Sequence, residues 1–196
     1  RTFLDIVFEL LSERKPNANE LKLFELILNL SIDHGPDTPS AVVTIAEAKE
    51  GKSLSHAVAS GLKKIDEHHG GAQEPLMYLL YEISDEKRSA QAVVAEYVKT
   101  KKHFPGFGHR LYTKDLRAEL IIRTMEELNF SPTFIHIGEE LQSELAFQLP
   151  GKTLPLNIDG AIALALATLD FQPKWATGVF LISRSAGLSG QYLNHA

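Results

Sequence analysis

Phe104-Pro105-Gly106-Phe107-Gly108-His109-Arg110-Leu111-Tyr112-Thr113-Lys114-Asp115-Leu116-Arg117 separates two helical patterns, and its reading decides how the rest of the chain is understood. Two glycines around one aromatic let the backbone bend sharply or approach a neighbour closely. A histidine follows at once, so its ring is presented by a bend rather than by a regular surface. Arg110, Lys114 and Arg117 crowd positive charge into a chain whose formal net charge is −5. Asp115 stands where a cap would start a helix over 116–128, which puts Arg117 in the first turn, against the helix dipole. A bound anion would account for that placement. Taken alone, the string is explained equally well by a solvated basic turn with a surface histidine.

Working outward, the apolar spacing predicts helices on both sides. Phe3, Ile6, Val7, Leu10 and Leu11 mark one over 2–12, and Leu21, Phe24 and Leu28 mark another over 20–31, with Asn17 or Asn19 as its cap. Thr38 with Pro39 launches a helix over 41–49. Further helices are read over 52–66, 76–83, 89–100 and 116–128. The segment 133–147 reads as helix in its second half, while Phe134-Ile135-His136-Ile137 is open between strand and helix. An almost wholly apolar helix over 161–169 should be buried. Another apolar run, 175–183, leads directly into Arg184, for which no local carboxylate is evident. Arg1 opens directly into a helical pattern, which is read as a chain whose start lies upstream.

Composition narrows the function classes. The chain has 196 residues, 44% of them hydrophobic, long enough for one large domain or two small ones. Its acidic balance argues against a dedicated nucleic-acid binder. With no cysteine, disulfides, thiolate metal sites and cysteine nucleophiles are excluded. No apolar run is long enough for a membrane span, and no signal peptide opens the chain, so a cytoplasmic location is expected. No metal site is expected either: His68 and His69 are neighbours without a matching ligand set.

Six residues form a pattern that none of them carries singly. His34, His69 and His109 all lie in glycine-containing turns, Asp159 stands at the mouth of the apolar helix, and Arg117 and Arg184 supply guanidinium groups. Each has a bland reading: a turn histidine bonded to backbone, an aspartate capping its helix, a solvated arginine. Together, two arginines and a histidine suit a small dicarboxylate or oxo-acid. Two more imidazoles and a carboxylate suit proton abstraction beside a carbonyl.

His69-Gly70-Gly71-Ala72, Gly106-Phe107-Gly108-His109-Arg110-Leu111-Tyr112 and Asn157-Ile158-Asp159-Gly160 resemble the three catalytic blocks of the citrate synthase superfamily, in that family's order. Asp33-His34-Gly35-Pro36 is similar to its substrate-binding histidine turn. The resemblance implies a citrate-synthase-like all-α fold, a large helical domain with an inserted smaller one. Residues 1–69 and 165–196 would form the large domain and 70–164 the small one. It implies that Asp159 takes a proton from the methyl carbon of an acyl-CoA, that His69 stabilises the enolate oxygen, and that His109 acts on the ketone of oxaloacetate. His34, Arg117 and Arg184 would hold oxaloacetate. Lys152 and Gly106, Phe107 and Gly108 would lie along CoA, with Arg110 and Lys114 as further candidates. CoA thioester would be a co-substrate, with no tightly bound cofactor, and the enzyme would be a homodimer.

The departures concern direction and completeness. Leu116 replaces a proline common before the binding arginine, and Gln73 stands where asparagine is frequent. The family's N-terminal portion and the segment that lends an arginine to the partner are absent from the sequence. The same blocks resemble citryl-CoA lyases and the lyase module of ATP-citrate lyase. The first expectation is therefore an acyltransferase condensing an acyl-CoA with oxaloacetate. A citryl-CoA lyase stands close behind it, and a non-catalytic helical binding subunit is the reading from another class.

Overall fold

The fold is known from a computed structural model that describes residues 1–66, 69–108 and 114–196. Among them the chain is helical throughout: α1 (Phe3–Ser12), α2 (Ala18–Ser31), α3 (Pro39–Lys49), α4 (Leu54–Leu62), α5 (Gln73–Ser84), α6 (Ala90–Thr100), α7 (Leu116–Glu127), α8 (Thr133–Gln148), α9 (Ile158–Thr168) and α10 (Ala176–Leu193), with one 3-10 turn at Pro173–Trp175. The only pairings of strand type among the described residues are isolated bridges, one of them joining Phe107 to Leu156. No described helix is long and apolar enough to cross a membrane.

Local chemistry explains most boundaries. Thr2 with Asp5 and Asn17 with Glu20 each form a reciprocal capping box at the start of α1 and α2. Thr38 stands at the cap position of α3, but its hydroxyl donates back to Gly35 O at 3.1 Å and caps nothing. Helix α5 begins three residues earlier than its apolar pattern, because Pro75 is tolerated inside a first turn. Helix α4 stops at Leu62, short of the expected 66, and Asp66 instead exchanges backbone hydrogen bonds with His69. The ambiguous 134–137 segment is helix: Ile135 and Ile137 are buried in α8 beside Leu141 and Leu145.

Helix α9 is the centre of the main core. Every residue from Gly160 to Ala167 is buried, and the helix packs against α5, α7 and α8. Beside it the rings of Phe8, Phe24 and Phe171 meet, Phe8 edge-on to both others at 5.3 and 5.1 Å. Arg14 lies over Phe8 and donates to Leu169 O at 2.7 Å, which joins the α1–α2 turn to the end of α9. A smaller cluster of Ala41, Ile45 and Leu188, flanked by Val58 and Leu62, holds α3 and α4 on the second half of α10.

The start of α9 is clasped from two directions. The 104–108 bend crosses it so closely that a β-carbon on Gly160 would stand 2.2 Å from Gly106 O, which only a glycine allows. Asn157 N–H donates to Gly106 O at 3.1 Å, Gly108 N–H donates to Pro155 O at 2.7 Å, and the Asn157 amide donates to Gly108 O at 2.9 Å. From the other side comes Asp115, 4% exposed. It caps α7 through Arg117 N–H at 3.1 Å and accepts Ile158 N–H at 3.0 Å, so two helix N-termini share one carboxylate. Arg117 closes the arrangement with bonds of 3.0 and 2.9 Å to the same carboxyl.

Burial by itself would raise the Asp115 carboxyl; the Arg117 guanidinium and the amides of Arg117 and Ile158 outweigh it and hold the group below its ordinary range. The ionised form therefore stabilises the fold above the unfolded value near pH 4, and that contribution fades as pH falls towards the lower folded value. Asp115→Asn should lower stability near neutral pH by about 3–5 kcal/mol, because it leaves Arg117 without its buried partner. Urea unfolding measured from pH 7 to pH 3 should show the deficit narrowing below about pH 4.

Candidate active site

Arg184 sits in the interior of α10, which runs on through the residue where its apolar run was read as ending. It is fully buried. Its Nε donates to Ser31 O at 2.9 Å, its Nη1 reaches Ser40 Oγ at 3.5 Å, and its guanidinium lies 4.6 Å over the Phe180 ring. Its Nη2 has no hydrogen-bond partner. Among the described residues it makes no ion pair, and the carboxylates that act on it, Asp33 and Asp159, do so from further away. A buried guanidinium with one unsatisfied nitrogen is costly to maintain and is suited to an anion arriving from outside.

His34 follows α2 and packs edge-on to the same Phe180 ring at 6.1 Å. Burial, reinforced by the charges of Arg184 and Arg117, pulls its pKa down to about 4, so the ring is neutral at pH 7. Its Nε2 lies 3.0 Å from Leu30 O, and a carbonyl only accepts, so Nε2 carries the proton and Nδ1 the lone pair.

His69 is held by backbone exchange with Asp66 and by a 2.9 Å hydrogen bond between its Nε2 and Ser40 Oγ. Arg184 Nη1 donates towards that same oxygen at 3.5 Å. With Ser40 as the donor to Nε2, a neutral ring would carry its proton on Nδ1. Next in sequence is Gly70, at φ +72°, where a β-carbon would strike the Phe180 ring at 2.4 Å. The bare backbone lets the ring beneath Arg184 sit against the turn that carries His69, while Gly70 N–H donates to Asp159.

Asp159 occupies the first turn of α9 but does not cap it; Asn157 does, through Gly160 N–H at 3.0 Å. Its carboxyl also accepts from Gln73 Nε2 at 3.3 Å. Burial pushes its pKa up to about 6, although Arg184, Arg117 and the Gly70 amide favour the ionised form. A carboxyl so placed gives and takes a proton near neutral pH.

Arg117 is half-buried, and its charge acts on both His34 and Asp159. Its place against the helix dipole is explained by Asp115. His34, His69, Asp159, Arg117 and Arg184 thus share one electrostatic neighbourhood. His109 and Arg110 lie outside the described residues. Gly106 serves the close crossing with Gly160, and the Phe107 ring is buried in the core beside Phe104 at 5.6 Å, so what these two present outward is backbone. Gly108, at φ +91°, continues that bend. Lys152 is exposed, and exposed Lys114 pairs with Glu119 at 2.5 Å.

Ser40 and Gln73 were not among the residues singled out in sequence as forming the site, yet both are fully buried and touch it. Ser40 and Thr44 put two hydroxyls on the face of α3 that also carries Ala41 and Ala48, which was a readable signal. A cavity of about 400 Å³ between α7 and α8, lined by Ala118, Ile122, Ile135 and Leu164, backs onto Asp115 and takes no part in this cluster. No group of three His, Asp or Glu side chains among the described residues could hold a metal ion.

The family description "Citrate synthase, C-terminal domain" matches residues 1–196. The fold superimposes on citryl-CoA lyase from Hydrogenobacter thermophilus with a TM-score of 0.90 and 34% identity, over 99% of this chain and 76% of that one. In sequence the chain is 32% identical to a probable ATP-citrate synthase of Caenorhabditis elegans over 199 residues, 92% of this chain. It is 30% identical to the citrate synthase of Helicobacter pylori over 190 residues, 90% of this chain. The chain spans only 18% of the first relative's length and 43% of the second's. By its whole-length match and by this all-helical architecture, the chain belongs to the citrate synthase family.

Proposed function

We propose that the chain makes or breaks the carbon–carbon bond between an acyl-CoA, acetyl-CoA in the first instance, and oxaloacetate, and that it works in the cleavage direction as a citryl-CoA lyase. The observation that carries the chemistry is the convergence of Asp159, poised near neutrality, with the His69 imidazole and the anion-ready Arg184. The likeness to a citryl-CoA lyase, with three quarters of that chain covered, supports cleavage over the condensation expected first. Condensation by a citrate-synthase-type acyltransferase remains the second reading, supported by the Helicobacter pylori relative.

In cleavage, the hydroxyl of citryl-CoA loses its proton, a role that the resemblance gives to His109. The carbon–carbon bond then breaks, the new ketone leaves as oxaloacetate, and the electron pair moves into the thioester as an enolate. His69 Nδ1–H stabilises that oxygen, and neutral Asp159 returns a proton to the carbon. Condensation runs the same steps backwards, with Asp159 as the base. Removing one such oxyanion donor lowers turnover about 10²–10³-fold. Arg184 and Arg117 hold the carboxylates of the four-carbon acid, and His34 becomes a cation when one arrives. The 104–108 backbone, Lys152, Arg110 and Lys114 receive CoA. The reading includes a second subunit and closure of 70–164 over the remainder.

Citryl-CoA supplied to the enzyme separates the directions. Accumulating oxaloacetate, followed by its reduction with NADH and malate dehydrogenase, is the expected result. Hydrolysis to citrate with free CoA supports the synthase, and oxaloacetate binding without turnover of either kind supports the binding subunit.

Asp159→Asn should lower turnover by about 10²–10⁴-fold and yet stabilise the fold. Folded Asp159 holds its proton more firmly than unfolded Asp159, so wild-type stability declines as pH rises from about 4 to about 6. Asparagine is spared that decline. Denaturant curves should show the variant more stable by up to about 3 kcal/mol at pH 8, and equal to wild type below about pH 4.

A further inference from the structure

Gln73 is fully buried at the first position of α5, beside the turn that carries His69. Its Nε2 donates to Asp159 Oδ1 at 3.3 Å, while its Oε1 is buried with no hydrogen-bond partner at all. An unsatisfied carbonyl in the interior costs about 1–3 kcal/mol, and leucine or methionine would fill the same space without it. The two ends of a carboxamide are nearly identical in shape but opposite in hydrogen-bonding sense. A half-turn about the last side-chain torsion exchanges donor for acceptor without disturbing the packing.

We infer that Gln73 is a positioning residue that accompanies Asp159 through the proton transfer, donating from Nε2 while the carboxyl is ionised and accepting at Oε1 once the carboxyl has gained its proton. This rests on the reading of Asp159 as the group that exchanges a proton with the acyl carbon. In the condensation sense, the C–H bond beside the thioester breaks, its electron pair enters the enolate, and the proton bonds to Asp159. The new O–H then donates to Gln73 Oε1, which meets its acceptor need at the moment the carboxylate's own need for donors disappears. Cleavage reverses each of these changes. The amide thus keeps the carboxyl in one rotamer in both states.

The neighbouring groups do not duplicate this role. Arg184 from α10, Arg117 from α7 and the Gly70 amide from the preceding turn all favour the ionised form, and Asp115 opposes it by like charge. None of them is an acceptor fit for the neutral acid at Gln73's position.

The test uses Gln73→Leu and Gln73→Met, two apolar replacements of similar volume, so that one informs if the other folds poorly. Infrared difference spectra between pH 4 and pH 8 follow the carboxylic-acid C=O band that is missing in Asp159→Asn. Loss of the donor removes more from the charged form than loss of the acceptor removes from the neutral one, so the titration midpoint should rise by about one pH unit. The band should move to higher frequency as the acid loses its acceptor. The alkaline limb of kcat with citryl-CoA, where the neutral acid is lost, should move upward with the midpoint, and kcat should fall about tenfold or more. An unchanged midpoint and band in folded variants overturns the inference, whether or not turnover changes. Shifted spectra in a protein that turns over neither citryl-CoA nor acetyl-CoA with oxaloacetate uphold the pairing and overturn the proposed reaction instead.

Discussion

One buried carboxylate, Asp115, joins three parts of this molecule that must agree for a site to exist. It caps α7, receives the first free amide of α9, and grips Arg117 with two further bonds. The amides it satisfies are those a helix N-terminus leaves open, so each bond serves the fold while fixing a functional group. Arg117 is set in place by its own cap, and Asp159, one residue beyond Ile158, is set in place by the other oxygen of the same carboxylate. The 104–108 bend locks α9 from the other side through contacts that only glycines at 106 and 160 permit.

From that constraint the electrostatics follow. Two guanidinium groups act on one neighbourhood that holds a half-buried histidine and a carboxyl ringed by protein. Burial, reinforced by the positive field, keeps His34 neutral, and burial keeps Asp159 close to neutrality despite the field. Arg184 is tied by a backbone carbonyl, a serine and an aromatic face, none of which neutralises it. The centre therefore carries unspent positive charge facing groups able to move a proton. A dicarboxylate would supply the missing negative charge, raise His34 towards the cation, and leave Asp159 free of competing salt bridges. Ser40 ties the cluster together, since its single hydroxyl meets both Arg184 and His69.

Much of this was legible in the sequence because helices announce themselves by period and cap. The patterns over 2–12, 20–31 and 116–128 reappear as α1, α2 and α7 with small changes at their ends, and Asp115 as a cap was readable from its place before Leu116. Its second bond, to an amide 43 residues away, was not. Arg184 looks unpaired in the sequence because no carboxylate lies near it along the chain, whereas its partners are a carbonyl 153 residues distant and a serine 144 residues distant. Asp159 reads as a possible cap in the sequence; the capping role belongs to Asn157, which leaves the Asp159 carboxyl out of the cap. Phe134 to Ile137 defeated periodicity because four mostly apolar residues fit strand and helix alike. Tertiary context decided it.

The central claim is that Asp159, His69 and the two arginines address one pair of substrates. The most direct measurement is a crystal structure of the protein with oxaloacetate and a non-reacting acyl-CoA analogue bound together. The account predicts the oxaloacetate carboxylates on Arg184 and Arg117, a carboxyl oxygen of Asp159 within about 3.5 Å of the acyl carbon, and His69 Nδ1 at the thioester oxygen. Oxaloacetate bound away from Arg184, or an acyl carbon out of reach of Asp159 in the closed complex, would contradict it.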